Sequence, residues 1–530
     1  MRKSVVSALA GVLAALVGVA AGHLVAALTD PAASPVLVVG STAIDLTPTP
    51  LKDWAIVHFG THDKAVLVGS VLVGVLVLAA VAGLLAGRRP TSGVALLLVL
   101  VAVPAVASLT RPTASAVDLV PSLVTAVAGV GSLLWLVRAA HRQPHRQPRR
   151  PATSGAGVVV PEVAGPGVVD PESADTGVRR RGVLVAGGVL AVAAVAMGSA
   201  GRRIAAYRSR GTTLDLPRAA DPAGPFPRGL EDRVPGITPL RTPTGSFYRV
   251  DTRLTLPLID AGGWTLTIDG DVDREVSFGI DDLLGMRLVE RDIALTCVSN
   301  DVGGTYVGAA RWLGVPLQDL LDRAGTGHSR ADQILSTDVD GMTISTPLAV
   351  ALDGRDAMIA VGMNGASLPR EHGFPARMVV PGLYGFVSAC KWITRMTLTT
   401  YAEQTAYWTD RDWATEAPIK ISSRIDTPKP LSTVRAGRTV IGGIAWAQHR
   451  GGVDRVEVRV DGGPWQPARL GPDAGVDYWR QWYLPWSAEP GQHTLAVRAT
   501  DGRGEVQTAA RATPFPNGSS GIQQIVVDVR

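Results

Sequence analysis

The hydropathy pattern divides the chain into two parts. Apolar residues dominate the first two hundred positions, whereas apolar and polar residues are mixed in the rest. A bilayer core takes roughly 20 helical residues, and five apolar segments approach or reach that length. They are Val5–Leu28, Ala65–Ala86, Val94–Leu109, Leu119–Val137 and Val183–Ala200. A signal peptide would explain the first and a buried helix the last, but neither explains all of them. We predict four membrane helices in residues 1–140 and a fifth at 183–200.

The basic residues predict how these helices are oriented. Arg2 and Lys3 precede the first segment, Arg88 and Arg89 separate the second from the third, and a larger cluster runs from 138 to 181. Positive charge flanking membrane helices marks the cytoplasmic side. Alternating spans then place everything after residue 200 outside the cytoplasm, in a multi-pass cell-membrane protein. The net charge is +5, but the basic clusters flank apolar segments rather than forming a stripe on a folded domain. No nucleic-acid partner is therefore expected.

The segment before the fifth helix carries two further signals. Residues 141–182 are rich in Pro and Arg and repeat His-Arg-Gln-Pro, which predicts a disordered cytoplasmic linker. At its end, Arg180-Arg181-Gly182-Val183-Leu184 and the Gly/Ala-rich helix resemble a twin-arginine export signal. Ordinary topology charge accounts for the arginines equally well.

Residues 211–418 mix short helices and strands. Pro and Gly mark 214–241 as a linker or extended arm. Trp264–Gly270 alternates and ends in a turn, which predicts a strand. Short helices are predicted within Phe278–Leu288 and at Val315–Leu321, and further strands at 377–382 and 392–398. Without regular β-α alternation, this pattern predicts an α+β domain.

Residues 419–530 show a different pattern. Val456–Val460 alternates into the turn signal Asp461–Gly463, and further alternating runs follow at sandwich-like spacing. We predict an immunoglobulin-like β-sandwich. Its five tryptophans are expected in the core and rim, at Trp446, Trp465, Trp479, Trp482 and Trp486.

Two cysteines, Cys297 and Cys390, exclude a disulfide-dense scaffold. Cys297 ends a strand-like run and precedes a polar loop with Gly303 and Gly304, a position that suits a soft metal ligand or a nucleophile. A small buried hydrophobic residue, or one disulfide between the two cysteines, would also fit.

From about residue 247 onward, the chain resembles the sulfite oxidase family of molybdenum-pterin enzymes. The resemblance rests on long motifs in family order: Leu295–Asn300, Gly308–Leu317, Met363–Arg377, Val380–Gly382 and Lys391–Trp392. The C-terminal motifs Val456–Asp461, Trp479–Trp482 and Arg498–Gly502 resemble the family's dimerisation domain. A homodimer is therefore a candidate assembly.

The resemblance implies a molybdenum-molybdopterin cofactor with Cys297 as the metal ligand, because molybdenum bound to a dithiolene is thiophilic. It implies that Arg249, in Phe247–Asp251, is a catalytic residue that stabilises an anion or oxyanion. It places the cofactor-binding residues at Asp338, His372, Arg377, Ser388 and Lys391, where cationic groups would hold the pterin phosphate.

The chain departs from the family pattern at two places. Asp301-Val302-Gly303 stands where sulfite oxidases proper carry arginines, and Asp412-Trp413-Ala414 stands where they have Asp-Tyr-Lys. Losing a cation and a phenol weakens the case for sulfite. We therefore predict a membrane-anchored oxidoreductase catalysing two-electron oxygen-atom transfer on a small sulfur-containing or similar substrate outside the cytoplasm. Sulfite oxidase proper and a metal-free cell-surface scaffold are the alternatives.

Electrons must reach such a site from a partner, because the sequence shows no cytochrome-type haem domain. A quinone or a cytochrome is the candidate partner. His23, His58 and His62 are candidate haem or quinone contacts, although histidines in such positions are commonly only solvated.

Overall fold

A computed structural model describes residues 2–48, 51, 54, 58–59, 63–111, 114–141, 171–208 and 213–530. The chain divides into two compact units. One contains residues 1–210 with 252–255, and the other contains residues 211–251 with 256–530.

The first unit is helical. Its described helices are α1 (Arg2–Leu28), α2 (Pro35–Leu46), α3 (Asp63–Arg88), α4 (Pro90–Leu109), α5 (Val120–His141) and α6 (Pro171–Arg208). Five of them are long and apolar enough to cross a membrane, as the hydropathy pattern predicts, and α2 is a shorter apolar helix that was not predicted. Small residues let the helices approach closely: a Cβ added to Gly11 on α1 would lie 2.0 Å from the Ala79 carbonyl oxygen on α3.

Helix α6 begins before the predicted membrane segment. Residues 171–182, assigned from sequence to the linker, are helical, and the Arg180–Leu184 motif lies within this helix. Residues 142–170 of the predicted linker lie outside the described residues, as does His62. His23 Nδ1 lies 3.1 Å from Ser34 Oγ, and His58 Nδ1 lies 2.8 Å from the Trp54 carbonyl oxygen.

The first part of the second unit contains two sheets. Its strands are β1 (Thr265–Gly270), β2 (Val276–Gly279), β3 (Val289–Thr296), β4 (Val307–Pro316), β5 (Gln333–Asp338), β6 (Thr343–Pro347), β7 (Met358–Met363), β8 (Ala366–Ser367), β9 (Arg377–Val379) and β10 (Ile393–Thr399). One sheet has the order β2-β1-β10-β5-β6. The other has the order β3-β4-β7-β8, with β9 also paired to β7. Most pairs are antiparallel, and β1 and β10 are parallel.

Short helices connect these strands. They are α7 (Ile280–Leu284), α8 (Leu317–Ala324) and α9 (Leu348–Ala351). The first lies within Phe278–Leu288, as predicted, and the second begins two residues later than expected, because β4 extends to Pro316 before the chain turns. Gly325, with φ of +77°, follows the end of α8, in agreement with the stop signal in the sequence. Trp312, which is completely buried, lies in the core that both sheets share.

The C-terminal part of the second unit is all-β. Its strands are β11 (Ser422–Thr427), β12 (Thr433–Val434), β13 (Gly437–Trp446), β14 (Val453–Val460), β15 (Gln466–Pro467), β16 (Arg469–Leu470), β17 (Arg480–Ala488), β18 (Gly491–Asp501) and β19 (Gln523–Val529). They form one sheet of order β11-β13-β17-β16 and a second of order β12-β19-β18-β14-β15. Apolar side chains from both sheets share one core, including Ile441 and Val458. Assignment of this sandwich to the immunoglobulin fold stays a prediction.

Candidate active site

Cys297 begins a loop that connects β3 to β4. The loop closes on itself, because the Cys297 N–H donates to the Tyr306 carbonyl oxygen at 2.9 Å and the Asn300 N–H to the Cys297 carbonyl oxygen at 3.0 Å. The Asn300 side chain also accepts from the Tyr306 N–H at 2.8 Å. Gly303, with φ of +82°, takes the left-handed conformation that the turn requires. The thiol is thus held at the end of a buried strand.

The state of the Cys297 thiol favours a metal ligand over a nucleophile. Cys297 and Cys390 are both buried thiols, and no disulfide joins them. Burial raises the pKa of Cys297, outweighing the hydrogen bonds from Ser299 and the charge of Lys391, which lower it. The protonated thiol is a weak nucleophile at neutral pH, whereas a bound metal cation would displace its proton.

Arg377, at the start of β9, is a buried cation with only neutral acceptors among the described residues. Its guanidinium donates to the carbonyl oxygens of His372 at 3.2 Å and of Ala389 and Met378 at 3.4 Å. Burial lowers its pKa to about 10, and its side chain lies over the Trp312 ring. A buried charge is costly without a counter-ion, so this site suits an anion such as a phosphate.

Lys391 and Arg249 share one carboxylate. Asp251 accepts a bidentate pair of hydrogen bonds from Arg249 at 2.7 and 3.1 Å, and one from Lys391 Nζ at 2.7 Å. Burial lowers the pKa of Lys391 to about 8, against the opposing effect of Asp251. The Arg249 side chain is 34 % exposed, so it can meet a molecule that enters from solvent. Asp251 lies two residues from Arg249 in the sequence, but that spacing did not indicate its pairing with Lys391.

His372 is neutral. Burial and the nearby charge of Arg377 lower its pKa to about 4. Its Nε2 lies 3.2 Å from the Thr244 carbonyl oxygen, which assigns the proton to Nε2 and leaves Nδ1 as an acceptor. His372 and Arg377 are therefore adjacent, as the family motif implies.

Asp338 and Ser388 stabilise turns of the backbone. Asp338 Oδ1 accepts from the N–H groups of Asp340 at 2.9 Å and Met342 at 3.0 Å, in the turn between β5 and β6. Ser388 Oγ lies within hydrogen-bond distance of the carbonyl oxygens of Leu383 at 3.1 Å and Tyr384 at 3.0 Å. A cofactor-binding role for either residue stays a prediction.

Two tyrosines that sequence reasoning missed lie near Cys297. Burial raises the pKa of Tyr384 to about 12 and raises that of Tyr248 further, and the negative charge of a Cys297 thiolate acts in the same direction on both. Both phenols therefore keep their protons at neutral pH. A Cβ on Gly385 would lie 3.7 Å from the Thr296 carbonyl oxygen and 3.9 Å from the Tyr248 hydroxyl oxygen, which brings the 385–387 turn against the Cys297 strand. Tyr248 lies within the Phe247–Asp251 motif, but nothing in the sequence indicated its burial.

Trp413, where the family pattern has a tyrosine, is 9 % exposed. It lies among aromatic rings, with centroids 5.5 Å from Phe386 and 5.3 Å from Phe515. Its indole nitrogen has no hydrogen-bond partner in the described part of the chain. This side of the site is therefore aromatic, with no phenol at that position.

The residues present fit a molybdenum-pterin group. They combine a thiol for a soft metal, buried cations for a phosphate, and the buried Thr296 hydroxyl, which has no partner among the residues that the structure describes. No group of three or more His, Cys, Asp or Glu side chains that could hold a metal ion occurs among those residues, so Cys297 is a single candidate ligand. A site with this composition suits a protein that binds an anionic, metal-bearing cofactor.

Comparison with known proteins shows a matching domain and several similar enzymes. Residues 253–408 match the oxidoreductase molybdopterin binding domain. The chain is 31 % identical to human mitochondrial sulfite oxidase over 301 residues, which cover 48 % of this chain and 55 % of that protein. It is 27 % identical to the barley NAD(P)H nitrate reductase over 321 residues, covering 49 % of this chain and 36 % of that protein. The chain thus spans about half the length, or less, of these curated relatives.

A solved structure, the sulfane dehydrogenase SoxCD from Paracoccus pantotrophus, is 25 % identical, with a TM-score of 0.48, over 56 % of this chain and 84 % of that one. The chain therefore contains an oxidoreductase molybdopterin binding domain at residues 253–408 and is similar to sulfite oxidase over about half of its length. Its cofactor is molybdenum-molybdopterin.

Proposed function

We propose that the protein is a membrane-anchored molybdenum-pterin oxidoreductase that catalyses two-electron oxygen-atom transfer on a small sulfur-containing or similar substrate outside the cytoplasm. The observation that carries the proposal is that the Cys297 thiol lies near the buried Lys391 ammonium and near Tyr248, which in turn lies near the buried Arg377 guanidinium. The molybdenum-pterin group supplies two-electron redox chemistry when bound.

Each site residue has a distinct role in this proposal. Cys297 binds the metal, while Arg377 and Lys391 bind the pterin phosphate through charge-assisted hydrogen bonds. His372 accepts a hydrogen bond at Nδ1. Arg249, oriented by Asp251, is exposed enough to bind an oxygen atom of the substrate.

The neutral phenols near Cys297 extend this proposal. Tyr248 and Tyr384 donate hydrogen bonds rather than accept protons, because their pKa values lie far above neutral pH. They can therefore orient a substrate oxygen without becoming charged.

The surroundings of Cys297 favour a neutral oxide over sulfite. The loop after Cys297 carries Asp301 and Val302 instead of arginines, and the Asp301 carboxylate accepts from the Val302 N–H at 2.7 Å. A carboxylate beside the site disfavours a small dianion. Reduction of a sulfoxide consumes two protons and two electrons and yields a thioether and water, so the enzyme requires a reducing partner such as a quinol or a reduced cytochrome.

Membrane anchoring completes the proposal. Five helices long and apolar enough to span a membrane precede the catalytic unit, and the positive charge between them favours an extracytoplasmic catalytic unit. The C-terminal sandwich is the candidate dimerisation domain.

Metal analysis of the purified full-length chain, with paired activity assays, tests the function. We expect molybdenum and pterin to co-purify, and reduced viologen to drive reduction of dimethyl sulfoxide or methionine sulfoxide. Oxidation of sulfite alone, with ferricyanide as acceptor, would assign the chain to sulfite oxidases proper. Absence of molybdenum from the purified protein would refute the proposed enzymatic function and favour the metal-free scaffold.

A further inference from the structure

The C-terminal sandwich contacts the loop that carries Cys297. Ser519 Oγ donates to the Asn300 carbonyl oxygen at 2.7 Å, and Arg424 Nη1 donates to the Gly304 carbonyl oxygen at 2.8 Å. The Gln523 side chain packs on the backbone between these points, since a Cβ on Gly303 would lie 2.5 Å from Gln523 Nε2. Three side chains of one β module thus meet three residues within the five-residue stretch 300–304 of this loop.

These side chains are themselves held in place. Arg424, with a side chain 9 % exposed, also donates to Asp426 at 2.7 Å and to Thr238 Oγ1 at 2.7 Å. Gln523 Oε1 accepts from the Ile425 N–H at 2.6 Å. A guanidinium bound on three sides has one geometry, so it fixes the Gly304 carbonyl rather than following it.

Asn300 connects the contacts from the C-terminal sandwich to the backbone of Cys297. Asn300 accepts from Ser519 through its carbonyl oxygen, donates its N–H to the Cys297 carbonyl oxygen, and accepts from the Tyr306 N–H through its side chain. Tyr306 in turn accepts from the Cys297 N–H. Both backbone groups of Cys297 are therefore bound to residues that belong to this network.

We infer that the C-terminal sandwich positions the metal-binding thiol, with Ser519 and Arg424 acting as positioning residues through Asn300 and Gly304. The inference rests on the proposed role of Cys297 and extends it, because it gives the β module a part in the active site besides any assembly. Metal sites depend on residues behind the ligands to fix ligand geometry.

Neighbouring serines provide a matched test. Ser519 and Ser520 are both half-buried, and each donates one hydrogen bond to a carbonyl oxygen. Ser519 bonds to the Cys297 loop, whereas Ser520 bonds to Ala510 within the C-terminal module. Ser519→Ala and Ser520→Ala therefore remove the same kind of bond in the same segment, and only one of the two bonds reaches the loop.

The experiment measures alkylation of Cys297 by iodoacetamide in the purified full-length variants, with the buried Cys390 as internal reference, together with molybdenum loss during dialysis. We expect Ser519→Ala to speed Cys297 alkylation by about two- to tenfold over Ser520→Ala, as loss of one hydrogen bond allows, and to lose molybdenum faster. The thermal unfolding midpoints of the two variants should agree. Arg424→Lys keeps the charge beside Asp426 but loses the three-sided contact of the guanidinium. It should speed Cys297 alkylation more than Ser519→Ala does.

Equal alkylation rates in the two serine variants would overturn the inference. Alkylation is compared in metal-free protein, so this comparison does not depend on the cofactor. Absence of molybdenum from the unmodified protein would refute the proposed function, while the alkylation rates would still decide whether the sandwich positions the thiol.

Discussion

Replacing Arg377 with methionine should separate cofactor binding from folding. The drop in the pKa of Arg377 from 12.5 to about 10 corresponds to a cost of about 3 kcal/mol for the charged form, at ~1.4 kcal/mol per pH unit. An arginine stays protonated in proteins, so the metal-free fold carries this cost until an anion binds. Its three hydrogen bonds, at 3.2–3.4 Å, offset little of it.

The two states of the protein should therefore respond in opposite directions. Arg377→Met removes the buried charge, so metal-free protein should unfold at the same or a higher temperature. The loaded protein loses a charge-assisted phosphate contact worth about 1.5–3 kcal/mol, which weakens cofactor retention by about 10- to 150-fold. Molybdenum and pterin content after dialysis, with thermal unfolding of loaded and depleted protein, measures both effects.

Arg311 is the matched control for Arg377. It lies on β4 and is paired with Asp292 at 2.6 and 2.9 Å. Arg311→Met should destabilise the fold, because it leaves a largely buried carboxylate unpaired, without selective loss of pterin. Full pterin retention in Arg377→Met, or a loss of stability equal to that of Arg311→Met, would refute the role of Arg377 in binding the pterin phosphate.

Further predictions concern pH and topology. The pKa of Lys391 is lowered to about 8, so its charge penalises the metal-free fold at lower pH and is lost above that value. The Lys391 contribution to stability, measured as the difference between the unmodified protein and Lys391→Met, should therefore rise as pH increases from about 8 to 10, while the raised pKa of Cys297 acts on both proteins alike in the opposite direction. Thermal unfolding of the two proteins measures this difference. Membrane-impermeant labels should reach residues after Gly211 but not 142–170, and labelling of that linker in intact cells would reverse the proposed topology. Changing Arg180 and Arg181 together to lysine should leave the catalytic unit inside the cell. An export receptor requires the arginine pair, whereas membrane topology depends only on positive charge, which lysine keeps. Normal surface exposure of the catalytic unit in this variant would mean that the two arginines act only as topology charges.

The sequence indicated those features that depend on local pattern. A membrane helix must be apolar over its whole length, so hydropathy predicted the five long helices and missed the short α2. Long motifs in family order identified the molybdopterin region, which the comparison confirmed. Cys297 was expected at a strand end, and it directly follows β3.

Pairing between distant residues could not be predicted in the same way. Asp251 binds Lys391 across 140 positions, and no spacing rule connects two residues so far apart. The contacts from Ser519 and Arg424 to the Cys297 loop span 219 and 120 positions. Element boundaries failed where a strand ran directly into a helix, as β4 does at Pro316, since a proline fits both the end of a strand and the start of a helix.

X-ray absorption at the molybdenum edge, on the full-length protein and on Cys297→Ser, tests the central claim most directly. The unmodified protein should contain about one molybdenum per chain, with a protein thiolate among its sulfur ligands. Cys297→Ser should remain folded and show one sulfur ligand fewer, with activity lost. An unchanged sulfur count in that variant would contradict the account.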